Sequence, residues 1–161
     1  MPALLCARSS PACCAVRGVL VVLGGMVPGS GIHRGGIAPN LRVEMLSQGA
    51  GEFVELPPLS CDAVCGTSAI AVDETHSTLG QMLLLGGHED GGLLTATSST
   101  RLVDMATGVC TPQADLLHAR SHFAAARLPD LDIACAGDFR GLLTAEMWGR
   151  PMQGVLNAAW T

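Results

Sequence analysis

The chain contains no tyrosine, and aromatic residues make up only 3% of its 161 positions. No chemistry within these residues can rest on a phenol. Charge is also sparse: charged side chains account for 14%, with nine basic against fourteen acidic residues and a net charge of −5. The basic residues never cluster, so nothing here neutralises a row of phosphates, and a nucleic-acid surface is excluded. Long apolar runs are missing too. Arg17 interrupts the apolar N-terminal region, and the piece left from Gly18 to Met26 is short. That argues against a secretory leader, and no run approaches the ~18 apolar residues of a membrane span.

What is present points to an ordered domain. Apolar residues make up 48%, which is not a disordered composition, and the length is sufficient for one domain with a working core. Twenty glycines and nine prolines favour many turns over long helices. The seven cysteines, at positions 6, 13, 14, 61, 65, 110 and 135, cannot all pair. Most lie inside apolar runs such as ACCAV and IACAG. They read as small buried hydrophobes in a reducing, cytoplasmic setting. A secreted disulfide framework is the lesser reading, because the spacing is irregular.

Internal repetition organises the chain. Residues 8–25 read RSSPACCAVRGVLVVLGG, residues 66–87 read GTSAIAVDETHSTLGQMLLLGG, and residues 118–138 read HARSHFAAARLPDLDIACAGD. In each, a run of small and β-branched residues meets a turn, and a second apolar run ends in Gly24-Gly25, Gly86-Gly87 or Ala136-Gly137. Arg8 and Gly24 each precede Arg120 and Ala136 by 112 positions, which predicts one register for arginine and doublet. A second half follows each doublet: LRVEML then EFVELPPL, TRLVDM then VCTPQADLL, and AEMW then AAWT. Phe53, Cys110 and Trp160 mark its last strand. The pattern predicts an all-β fold of three units, each a four-stranded antiparallel meander. Such sheets bury their apolar faces by stacking around an axis. A β-sandwich with unrelated glycine pairs is the rival.

The order of arginine, small apolar strand, turn, apolar strand, Gly-Gly, loop, V-E-x-L or L-V-D-M, glycine, aromatic and Leu56-Pro57-Pro58-Leu59 resembles the kelch repeat of β-propellers. The resemblance covers nearly the whole chain as one kelch-type region, 1–161, with blades at about 8–60, 65–115 and 120–161. Gly24, Gly25, Gly86, Gly87 and Gly137 would be its structural glycines. The family's third-strand tyrosine is replaced by Met45 or Leu46, by Val103, and by Met147 or Trp148. Its fourth-strand tryptophan survives only as Trp160. Propellers typically close with four to eight blades. Three imply a partial propeller, either a fragment of a longer one or a unit that self-associates.

In such a meander the loop between strands two and three shares one end of the sheet with the link between units. That end would gather His33 and Arg34, then His88, Glu89 and Asp90. Asp115, His118, Arg120 and His122 would join them, with Asp138 and Arg140. These form a candidate docking face for a protein or peptide, where arginines can pair with acidic groups. Arg8 and Arg120, at matching positions, read first as structural. No catalytic, metal or cofactor-binding residue is expected. Cys61 and Cys65 lack the tight spacing of a zinc knuckle, and 52 residues separate them from the His118/His122 pair. The glycine-rich loops match neither a dinucleotide fingerprint nor a phosphate loop with its lysine. The resemblance implies a non-catalytic interaction module, an adaptor or docking platform. The alternative is part of a larger propeller enzyme, such as a galactose-oxidase-like copper oxidase. Without tyrosine, the active residues of such an enzyme would lie outside this chain.

Overall fold

The computed structural model describes residues 2–28, 37–49, 51–62, 65–73, 78–88, 95–128, 133–137, 144–149 and 159–160. Among these there is no helix, and three four-stranded antiparallel sheets carry the fold. Sheet 1 is ordered β1 (Ala12–Val16), β2 (Val19–Leu23), β5 (Val43–Leu46), β6 (Phe53–Leu56). Sheet 2 runs β7 (Ser68–Asp73), β8 (Gln81–Leu85), β9 (Thr100–Asp104), β10 (Cys110–Pro112). Sheet 3 runs β11 (Ala124–Arg127), β12 (Ile133–Ala136), β13 (Ala145–Gly149), β14 (Ala159–Trp160). Each sheet is a meander in chain order, as the repeat predicts. One element was not foreseen: β3 (Met26–Pro28) pairs with β4 (Ile37–Pro39) as a ribbon inserted between β2 and β5.

The inner strands keep a strict period, since Ser68 and Ala124 follow Ala12 at equal steps of 56 residues. The second strands do not, because the turns ahead of them differ in length. Arg17-Gly18 closes the first hairpin with φ of 51° and 74° at its two central residues, a geometry whose twist suits a two-residue connection. This shifts the glycine register read from the sequence. Leu23 pairs with Ala12, Leu85 with Ser68, and Ala136 with Ala124. The counterpart of Gly24 and Gly86 is therefore Gly137, and Ala136 is the last residue of its strand. The third-strand positions also resolve: Leu46, Val103 and Trp148 sit opposite Phe53, Cys110 and Trp160.

Sheet 2 is the middle layer. Its face carrying Ala69, Met82, Leu84 and Val103 packs on Ala12, Val16, Val21 and Leu23 of sheet 1. The opposite face, with Leu83 and Leu85, packs on Ile133 and Cys135 of sheet 3. Alternation along β8 thus feeds two separate cores from one strand, and QMLLL needs apolar residues on both faces. The outward faces of the flanking sheets differ. On sheet 1, Cys13, Ala15 and Leu20 are exposed, and on sheet 3 so are Ala124, Ala126, Ala136 and Met147.

Burial ranks the consequences of truncation. Leu85→Ala, at a fully buried position, should cost about 3 kcal/mol in urea unfolding, whereas Leu20→Ala, at 40% exposure, should cost less than about 1 kcal/mol. Equal losses would mean that the middle sheet is not the core layer.

Candidate functional site

Each inner strand is preceded by a link that arrives at the loop end of the sheets, and the links converge. Ser10, Gly66 and His122 each stand two residues ahead of an inner strand, and all three adopt positive φ, at 49°, 62° and 51°. The Gly66 N–H donates to the Ser10 carbonyl at 3.1 Å, and the His122 N–H donates to the Gly66 carbonyl at 2.8 Å. One chain of main-chain hydrogen bonds thus runs through equivalent residues of all three units. The exposed His122 ring lies directly over Gly66, where an added Cβ would meet ring atom Cε1 at 2.5 Å. Its Nε2 comes within 3.2 Å of Ser10 Oγ, spanning from the third unit to the first.

His88 sits beneath this junction. Its ring is 3% exposed, with Nδ1 3.2 Å from the Thr95 carbonyl and a centroid 5.6 Å from that of His122. Its Nε2 has no hydrogen-bond partner among the described residues. The His88 N–H donates to the Cys65 carbonyl at 2.9 Å. Gly87 provides for this approach, because a Cβ there would collide with Thr67.

Arg120 does not face outward. Its guanidinium is fully buried and donates to the carbonyls of Gly137 at 2.9 Å and Thr144 at 3.1 Å. It also donates to Glu146 Oε1 at 2.5 Å. Glu146 in turn accepts from the main-chain N–H groups of Leu117 at 2.6 Å and His118 at 3.0 Å. The half-exposed His118 ring places Nδ1 3.0 Å from the same carboxylate. The first unit repeats this arrangement. Arg8 donates to the carbonyls of Gly24 and Arg42 and forms a buried ion pair with Glu44, which also accepts from Leu5 N–H at 2.7 Å. Each clamp joins three segments: the incoming link, the loop after strand two, and strand three.

For Glu146, burial alone would push the carboxyl up. Hydrogen bonds from Arg120, Leu117 and His118 together outweigh that and hold it below the usual carboxylate range. A carboxyl depressed in the folded state contributes stability that is present above its unfolded value and lost as pH falls through the folded one.

Of the residues read as a docking face, His88, His118, Arg120 and His122 come together at one end. Of these four only His118 and His122 are on the surface, and Asp115, three residues ahead of His118, is exposed as well. Arg120 follows its structural reading as an internal clamp and leaves the docking face, and His88 is corrected from a rim residue to a buried ring. His33, Arg34, Glu89, Asp90, Asp138 and Arg140 lie outside the described residues. Glu44 and Glu146 were missed, although a signal existed. The two units that carry the arginine carry the glutamate, while the middle one has Val64 and Arg101 at those places. The four residues of the zinc reading do not come together as a set, although Cys65 and His122 both reach Ser10. Cys61 meets Cys110, Cys65 meets Ser10, and the two histidines hold Glu146 and Ser10. Among the described residues no group of three or more potential metal ligands occurs. A largely apolar cavity of about 310 Å³ lies elsewhere, between sheets 1 and 2 near the Arg17 turn, lined by Val16, Met45, Leu56, Leu79 and Met105.

No protein-family model matches the chain, and no curated protein matches it. Solved structures do match. One, "Structure of YjhT", superposes with a TM-score of 0.69 over 96% of this chain and 51% of that one, at 14% sequence identity. That neighbour is β-propeller-like. The fold is that of a β-propeller. The chain spans about half the length of this neighbour, and at such identity the likeness concerns the fold alone. The three sheets are its blades, each of four antiparallel strands. No helix among the described residues is long and apolar enough to cross a membrane.

The clamp makes a sharp prediction. Glu146→Gln leaves a buried guanidinium without its counter-charge and should destabilise the fold by about 3 kcal/mol in urea unfolding at pH 7. The difference from the unsubstituted chain should shrink as pH falls below about 4, because protonation removes the same charge. A constant difference across that window would exclude an ionised Glu146 as the stabilising form.

Proposed function

We propose that the chain is a non-catalytic docking module of kelch type. It would take a protein or peptide segment at the loop end of its blades. The observation that carries this reading is the convergence of the three links. It holds the His122 ring rigidly at the centre of that end, with the exposed Leu117 and His118 close by in sequence. A rigid aromatic anchor beside an exposed apolar residue and hydrogen-bonding groups is the composition of a binding hot spot. Histidine rings beside buried main-chain carbonyls suit a partner that brings carboxylates and donor groups, so an acidic peptide is the class to test. The kelch resemblance supports the same reading, because kelch propellers as a class serve as docking platforms.

A partner of a second kind is supported by the outward faces of blades 1 and 3. Their exposed small apolar residues match the kind of surface that the middle blade buries on both sides. Further blades would pack there, from a longer polypeptide or from a second copy of this chain. Light scattering on a size-exclusion column distinguishes the two. Twice the 16.5 kDa monomer mass indicates self-association, which Met147→Glu should disrupt. A folded monomer at high concentration would remove the second copy.

The docking reading is tested by binding to a peptide array graded in charge. His122→Ala should weaken acidic-peptide binding at least tenfold, and His118→Ala by less. A substitution at the opposite end, such as Arg17→Ala, should leave it unchanged. Binding that follows Arg17 rather than His122 would place the interface at the other end.

A further inference from the structure

The middle blade lacks the buried arginine–glutamate clamp of its neighbours, and a different pair occupies the corresponding junction. Cys61 lies seven residues ahead of the first residue of β7, the place held by Leu5 ahead of β1 and Leu117 ahead of β11. In those two units the N–H at this place donates to the clamp glutamate. Here the Cys61 side chain meets Cys110, on the last strand of the same blade.

Main-chain contacts fix the approach. The Ser60 N–H donates to the Gly108 carbonyl at 2.9 Å, and the Cys110 N–H donates to Ser60 Oγ at 2.9 Å. Gly108, at φ +74°, lies so close to the Pro58 carbonyl that a Cβ would not fit. Both thiols are half-buried at the edge of the core between blades 1 and 2, and both are free.

We propose that Cys61 and Cys110 are a redox-modification site, closing a reversible disulfide in response to peroxide and supplying the middle blade with a covalent counterpart of the missing clamp. The thiols are already hydrogen-bonded to one another. That bond lowers Cys110, against the opposing effect of burial. The same bond, together with burial, pushes Cys61 up. Cys110, whose sulfur also lies 3.7 Å from the Gly108 carbonyl, is the more readily ionised of the two, and the thiolate is the nucleophile. Its sulfur attacks one peroxide oxygen and breaks the O–O bond, and the departing hydroxide takes up a proton to leave as water. Cys110 is then a sulfenic acid. The Cys61 sulfur displaces the hydroxyl group from it, forming the S–S bond, and its own proton leaves with that hydroxyl as a second water. Two thiols and one hydrogen peroxide become one disulfide and two waters. A dithiol reductant reverses the step.

Peptide mapping of the full chain tests this directly. The chain is treated with hydrogen peroxide, alkylated without reduction and cut with trypsin after Arg42, Arg101 and Arg120. The expected product is fragment 43–101 joined to fragment 102–120, two hydrogens lighter than the reduced pair. The link should persist in Cys65→Ser and vanish in Cys61→Ser. The unfolding midpoint should rise by roughly 5 °C on oxidation and return with dithiothreitol. The map of the unsubstituted chain decides even where a variant fails to fold. Alkylation of both Cys61 and Cys110 after peroxide, or a bridge from Cys110 to any other cysteine, would overturn the proposal.

Discussion

The buried ion pair between a link arginine and a third-strand glutamate is the constraint on which the first and third blades depend. Burying two charges is costly, and the pair holds because main-chain carbonyls and N–H groups satisfy most of the remaining donors and lone pairs, Arg120 Nε being left without a partner among the described residues. The clamp thereby does what apolar burial cannot: it sets the position of the link that enters the first and the third blade. His118 and His122 sit on that link, so the geometry of the candidate docking end follows from a charge pair buried beneath it. The blades with a clamp are those with one face uncovered. The middle blade buries both faces against apolar neighbours and keeps its place without one.

The second constraint is the left-handed residue ahead of each inner strand. Gly66 adopts it freely, whereas Ser10 and His122 do so at a cost of order 1 kcal/mol. The hydrogen bonds linking the three residues offset that cost and join successive blades close to their common axis. The left-handed backbone at His122 brings its Cα over the junction, and from there the ring lies against Gly66 and within reach of Ser10. The glycine at the middle position makes room for the ring, since a Cβ there would lie 2.5 Å from Cε1 and the ring would have to move.

Much of the fold was legible. Alternation and the Gly-terminated second strands marked out three four-stranded units, because strand period and turn chemistry are local properties. The same repeat narrows the third-strand position to Met45 or Leu46, Val103, and Met147 or Trp148, and strand pairing selects Leu46 and Trp148 opposite Phe53 and Trp160. The glycine register was misread by one residue in the third unit. Doublets were matched by appearance, whereas pairing distance from the inner strand decides equivalence. The β3–β4 ribbon escaped notice because Met26–Pro28 and Ile37–Pro39 are too short to carry a pattern. At the site, charge was read as surface. Arg120 reads as structural from its match with Arg8, but its partner Glu146, 26 residues away on another strand, carries no local signal.

By itself the sequence determined the all-β class and the number of four-stranded units. These rest on periodicity, glycine placement and chain direction, none of which needs a distant contact. Only the tertiary structure decided which charged residues are buried and which cysteines meet. It alone showed that three links join through Ser10, Gly66 and His122. Those outcomes depend on which groups from remote segments can satisfy one another out of water, and that is settled when the blades stack.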